Sequence, residues 1–144
     1  HRGKTWLETY NGGQPWTNWD DPVVYDTAAL AQDLARLADG QPIAGRRFNF
    51  DTEEPEVTGM IEPPKTSSLV LVEGIHAHSP DLRPTLHGYH EVATPIATCI
   101  GRRLQRDFFD GDRVNESLAS PEAILRYMLE TAEPTYQQSR HLAS

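Results

Sequence analysis

Residues 67–75 read SSLVLVEGI, and their interpretation decides the fold class. Leu69, Val70, Leu71 and Val72 form an unbroken apolar run of strand length. That is the pattern of a strand covered on both faces in a parallel sheet, rather than one with a wet face. Upstream, RRFNFDTEEPEVTGMIEPP (46–64) alternates loosely about a Glu-Pro break and predicts two short antiparallel strands. Before it, Asp26 is a helix N-cap, Leu30, Leu34 and Leu37 share one face, and Gly40 is the stop. Downstream, Ser79-Pro80 opens a short helix to about Leu86, and YHEVATPIA (89–97) reads as a weaker strand. A helix follows from about Thr98 to Asp110. Ser120-Pro121-Glu122 starts a last one carrying Ile124, Leu125, Met128 and Leu129. Residues 1–25, rich in Gly, Asn, Trp and Pro, read as loop. Helix, hairpin, strand, helix, strand, helix, helix is the order of an α/β domain.

The 144 residues make one ordinary domain or a large piece of one, and the start at His1 rather than methionine suits a piece. Thirteen basic against 21 acidic residues give a formal net charge of -8, which argues against a nucleic-acid binder. No window reaches the apolar length of a membrane span, and no signal-peptide pattern is present. A single cysteine, Cys99, leaves no internal disulfide framework and fits a reducing compartment, so the cytoplasm is the expected location.

Against that acidic background GRRLQRDFFDGDR (101–113) sets four arginines in thirteen residues. On a helix Arg102 and Arg106 are four apart, Arg103 and Arg106 three apart, and all share an edge. Guanidinium forks match phosphate oxygens bidentately and keep their charge, which suits a polyphosphate. The commoner alternative for a charge run is a solvated face, with Asp107, Asp110 and Asp112 as local partners. Glu73, at the end of the apolar strand, stands where open α/β sheets place ligands and suits Mg²⁺; the alternative is a strand-end carboxylate in solvent. In NWDDPVVYD (18–26) the paired carboxylates beside Asn18 and Trp19 read either as a grip on vicinal hydroxyls or as an acidic turn. Four histidines, His76, His78, His87 and His90, raise a zinc site, but the H-x-H has no accompanying ligand pattern and ordinary histidines are the simpler reading.

NWDDPVVYD, LADGQPI, LVLVEGIHA and GRRLQRD…GDR occur in an order that resembles the uridine kinase branch of the phosphoribulokinase/uridine kinase family, over roughly residues 14–142. The resemblance implies a P-loop kinase fold: a parallel sheet with flanking helices, a small β-hairpin insert and a helical lid at 98–113. Residues 1–144 would form a single, partial domain. It implies ATP-dependent phosphoryl transfer to the 5′-hydroxyl of uridine or cytidine, with ATP and Mg²⁺, a small-molecule acceptor, no nucleic-acid or membrane partner, and a homo-oligomer. By position, Asp20 resembles the aspartate that holds the ribose hydroxyls, with the aromatic Trp19 beside it. Phe48 falls where a YDF tyrosine lies near the base, and Glu53 near a base-contacting histidine. Glu73 resembles the Mg²⁺-linked acid. Arg103, Arg106 and Arg113 resemble lid arginines of the catalytic site, and Arg102 lies with Arg106 toward ATP.

The departures are specific. FNF (48–50) replaces YDF, Glu53 replaces the histidine, and Gly111 stands where another lid arginine is common. Pantothenate or a sugar phosphate therefore remains an alternative acceptor, and a catalytically inactive binding or regulatory relative is the rival class. No G-x-x-x-x-G-K-[ST] occurs; RGKTW (2–6) has no glycine loop before it. His1 falls at the last residue of the family's catalytic DD-[FY]-[YH] motif, which places the first strand, P-loop, second strand and catalytic aspartate upstream of it and the final strand beyond Ser144. The strands at 69–72 and 89–97 then lose a shared neighbour, leaving backbone donors and acceptors unpaired. By itself such a chain is expected to bind ATP weakly at best and to transfer no phosphate.

Overall fold

The structure, a computed structural model, describes residues 1–110 and 120–141. The helix at Asp26 forms as its caps require. Helix α2 (Thr27–Ala38) starts with the Asp26 carboxylate accepting from the Ala29 N–H at 3.2 Å. It ends with Gly40 at φ 73°, and the N–H groups of Gly40 and Gln41 fold back onto Leu37 and Arg36. The hairpin also forms. Strand β1 (Ile43–Asn49) pairs antiparallel with β2 (Glu54–Ile61), with one extra residue on β2 at Thr58. The Asn49 side chain accepts from the N–H of Asp51 and of Thr52 to close the turn. An ion pair between Arg46 and Asp33 ties β1 to α2.

Residues 1–25 are not all loop. Lys4–Tyr10 is helix α1, and Pro22–Val24 is a single 3-10 turn. The first N–H groups of α1 are taken up by distant residues: Lys4 bonds the Glu53 carbonyl at 2.8 Å and Thr5 the Glu54 carboxylate at 2.8 Å. A Cβ on Gly3 would collide with that carboxylate, so glycine is what lets the hairpin turn approach. No local pattern carries this information.

The expected parallel sheet is not seen among the described residues. Among the described residues the one sheet is the β1–β2 hairpin, and neither 69–72 nor 89–97 is paired. Leu69, Leu71 and Val92 are 83%, 84% and 85% exposed, the opposite of a strand covered on both faces. An apolar run becomes a strand only where a neighbour completes its ladder, and no described segment pairs as a strand with either run. The helix expected from Ser79 is likewise reduced to turns ending in the 3-10 segment Arg83–Thr85, since Pro84 has no N–H to continue an α-helical ladder.

The arginine-bearing helix starts slightly before its predicted residue 98. Helix α3 (Ile96–Leu104) follows Pro95 directly and widens into a π-helical turn, Gln105–Phe109. The last helix begins as predicted, with Ser120 Oγ accepting from the Ala123 N–H at 3.1 Å. It runs as α4 (Pro121–Tyr127), a π-helical turn (Met128–Ala132) and α5 (Glu133–His141). Pro134 has no N–H for the carbonyl of Glu130 and crowds it, so the wider turn falls where the ladder is interrupted. Ile124, Met128 and Ala132, four apart, are buried against Ile96, Cys99, Ile100 and Leu104 of α3. Leu125 and Leu129, the other apolar residues named on this helix, are 41% and 50% exposed. Among the described residues no helix is long and apolar enough to cross a membrane.

Ile124, with no exposed surface, is the centre of the α3–α4 seam. Ile124→Ala is expected to cost about 2–5 kcal/mol in chemical denaturation, against about 1 kcal/mol for Ile124→Val. Equal costs would show that the seam is not packed as described.

Candidate functional site

The turn at 18–26 divides its two carboxylates between two tasks. Asp21 caps the 3-10 turn, its Oδ1 accepting from the Val23 N–H at 2.8 Å. Asp20 is held differently. Its N–H lies 3.3 Å from Asn18 Oδ1, and Asn18 in turn donates to Thr135 on α5 at 2.9 Å. The Asp20 carbonyl accepts from Nε2–H of buried His76 at 2.9 Å, which fixes that ring's tautomer. The Asp20 carboxylate then turns toward α3. The acidic-turn reading therefore describes Asp21, and the carboxylate available for other work is Asp20.

Arg103 meets it. Its Nη1 lies 3.3 Å from Asp20 Oδ2, and its Nε 3.3 Å from Asp107 Oδ2, one helical turn away. Asp107 also receives Arg106, through Nε on Oδ1 and Nη2 on Oδ2. The row Asp20, Arg103, Asp107, Arg106 alternates in charge. The Asp107 side chain is only 4% exposed. Burial pushes its carboxyl pKa upward, but the Arg106 hydrogen bond and the two guanidinium charges outweigh burial and hold it below the usual range. Tyr127 completes the group, donating its hydroxyl to Asp20 Oδ2 at 2.7 Å with the Arg103 guanidinium 4.9 Å from its ring centre.

An aromatic wall adjoins this row. The Trp19 and Phe48 rings meet edge-to-face with centroids 6.0 Å apart, and Phe48 also touches His1 and Phe50. Trp19, Asp20, Phe48, Arg103 and Arg106 all border one broad, open hollow. Arg102, Glu53 and Glu73 border it too, less intimately. Arg102 and Glu73 are exposed. Glu53 is bound to Lys4 at 2.8 Å and carries φ 55° in the hairpin turn, where a non-glycine residue is strained. Arg113 lies outside the described residues. No group of three or more His, Cys, Asp or Glu side chains is arranged to hold a metal among the described residues. Glu73 alone is one exposed carboxylate and makes no metal cage.

Asp107 is the local partner of the arginines that the charge run offered, at i, i+4 from Arg103. Tyr127 and His76 are the members whose place in the site sequence reasoning missed. Tyr127 lies 107 residues from Asp20, and His76 lies 56 from it, so neither carries a local sign.

His76 makes the turn's geometry pH-sensitive. Burial lowers its pKa below the ordinary value of 6.5, against an opposing contribution from the Asp20 carbonyl. Between the folded and unfolded pKa values the unfolded chain binds more protons, so stability rises with pH there. The wild-type chain is therefore expected to lose melting temperature as pH falls from 7 toward 5.5. His76→Gln, which retains an N–H donor, is expected to lose less. Identical pH profiles would remove the histidine from this role.

No family model matches the chain. It is similar to a uridine kinase of Vibrio cholerae, 30% identical over 124 residues, covering 85% of this chain and 54% of that protein. A uridine kinase of Shewanella piezotolerans is 31% identical over 125 residues, covering 84% of this chain and 58% of that protein. An inorganic pyrophosphatase of Arabidopsis thaliana is 29% identical over 133 residues, 91% of this chain but 20% of that protein. The chain spans little more than half the length of the uridine kinases it matches. By sequence, then, it is similar to uridine kinases over about 85% of its own length.

Proposed function

We propose that these residues are the acceptor- and phosphate-binding part of an ATP-dependent kinase for a pyrimidine ribonucleoside. The observation that carries the reading is the row Asp20, Arg103, Asp107, Arg106 beside the Trp19–Phe48 wall. A carboxylate accepts from hydroxyl donors and so suits a ribose. The aromatic pair offers an apolar face to a base. Guanidinium groups held by Asp107 are directed donors for phosphate oxygens, and phosphoryl transfer depends mainly on positioning and charge stabilisation. A uridine kinase and an inorganic pyrophosphatase, both among the relatives, are activities that fit a phosphate-handling site. ATP would bring the phosphoryl group and Mg²⁺ would neutralise its charge, with Glu73 the carboxylate that the resemblance assigns to the ion. The assembly is proposed to work in the cytoplasm, as a homo-oligomer like the family it resembles.

One observation favours a second reading, a catalytically inactive binding module. Arg103 and Arg106 are already matched by Asp20 and Asp107, so the arginines also serve the fold. Titration of the chain tests the ligand-binding roles on which the kinase reading depends. Under the kinase reading uridine binds about 5- to 30-fold more tightly than 2′-deoxyuridine, and Asp20→Asn abolishes most of that ratio. Arg106→Ala is expected to weaken tripolyphosphate binding about 10- to 100-fold while leaving uridine binding nearly unchanged, because a charge-assisted contact is lost. Tripolyphosphate binding that ignores Arg106 would return the arginines to a purely structural role.

A further inference from the structure

Every bond made to the Asp20 carboxylate among the described residues goes to Oδ2. Tyr127 donates its hydroxyl there at 2.7 Å, and Arg103 donates Nη1 at 3.3 Å. Oδ1 is left as an acceptor. Tyr127 is the last residue of α4, between Ile124 and Met128, which are buried in the α3–α4 seam. Its ring is packed against that cluster and lies under the Arg103 guanidinium. The hydroxyl is therefore placed by the helix packing, not by a free rotor. Burial first, and the neighbouring Asp20 charge second, push the phenol pKa upward, so the group remains a donor throughout the working range of pH.

We infer that Tyr127 is a positioning residue for acceptor recognition: it anchors Oδ2 of Asp20 so that Oδ1 is presented in one orientation to the vicinal hydroxyls of a ribose. The inference rests on the proposed function, since it concerns the same carboxylate. A carboxylate free to rotate offers its acceptors in many directions and gains little from a second hydroxyl. One pinned at Oδ2 gains the full geometric benefit of both. Tyr127 would thus set the preference for ribose over deoxyribose without touching the sugar.

The test is titration of the chain and of Tyr127→Phe with uridine and with 2′-deoxyuridine. The variant removes one oxygen and keeps the ring over which Arg103 lies. Tyr127→Phe is expected to reduce the uridine/2′-deoxyuridine affinity ratio by about fivefold. In the Asp20→Asn background Tyr127→Phe should change that ratio no further, because its influence passes through Asp20. A merely structural residue would act equally in both backgrounds, and that outcome overturns the inference. An unaltered ratio in Tyr127→Phe overturns it alone, provided the wild-type chain discriminates. A wild-type chain that binds neither nucleoside, or binds both equally, overturns the proposed function and this inference together. A Tyr127→Phe chain that fails to fold would show the hydroxyl to be structural, and also overturns it.

Discussion

Arg103 is bound to two carboxylates that come from different parts of the chain. Asp107 is one turn along its own helix, whereas Asp20 arrives from a turn 83 residues earlier. Side chains of Arg103 and Asp20 are 19% and 21% exposed, so the pair is shielded enough to matter and wet enough to be formed at modest desolvation cost. Removing either partner would strand a charge beside a buried neighbour. The pair joins the 18–26 turn to α3, and Tyr127 and Met128 extend the same junction to the last helix, Met128 through its sulfur 3.4 Å from Arg103 Nη1. Most of what is proposed for the site depends on this junction holding.

The arrangement explains how an acidic chain keeps its arginines close together. Alternating carboxylates cancel the repulsion between guanidinium groups and restrict their rotamers, so a phosphate would meet donors whose ordering cost has largely been met. The carboxylate between Arg103 and Arg106, Asp107, is buried and stays charged because both arginines face it. Sharing Asp20 between an arginine and a sugar-binding role also places the acceptor side and the phosphate side within one hydrogen-bonded group. That is the geometry a phosphoryl transfer between them requires.

What could be read from the sequence follows the range of the interactions. The caps at Asp26 and Ser120, the glycine stop at Gly40 and the alternation around Glu54-Pro55 are local, and the elements they predict formed. The arginine helix was legible for the same reason, including the edge shared by Arg103 and Arg106. Helix α1 was not, because its first N–H groups are satisfied by Glu53 and Glu54 of the hairpin. The apolar run 69–72 was read by composition alone, and composition cannot supply the neighbouring strand that would pair it. In the site, the Trp19 and Phe48 rings meet and Asp20 borders the same hollow, but the residues that hold Asp20 in place are distant in sequence. Tyr127 looked like one more residue of an amphipathic helix, and His76 like one of four ordinary histidines.

The junction itself is tested most directly by a double-mutant cycle on Asp20→Asn and Arg103→Gln, read by chemical denaturation of the chain. A direct, partly shielded ion pair predicts a coupling energy of about 1 kcal/mol, with the double variant less destabilised than the two single changes together. Additivity within about 0.3 kcal/mol would mean that Asp20 and Arg103 do not act on one another. It would contradict the account of a single site built across the 18–26 turn and α3.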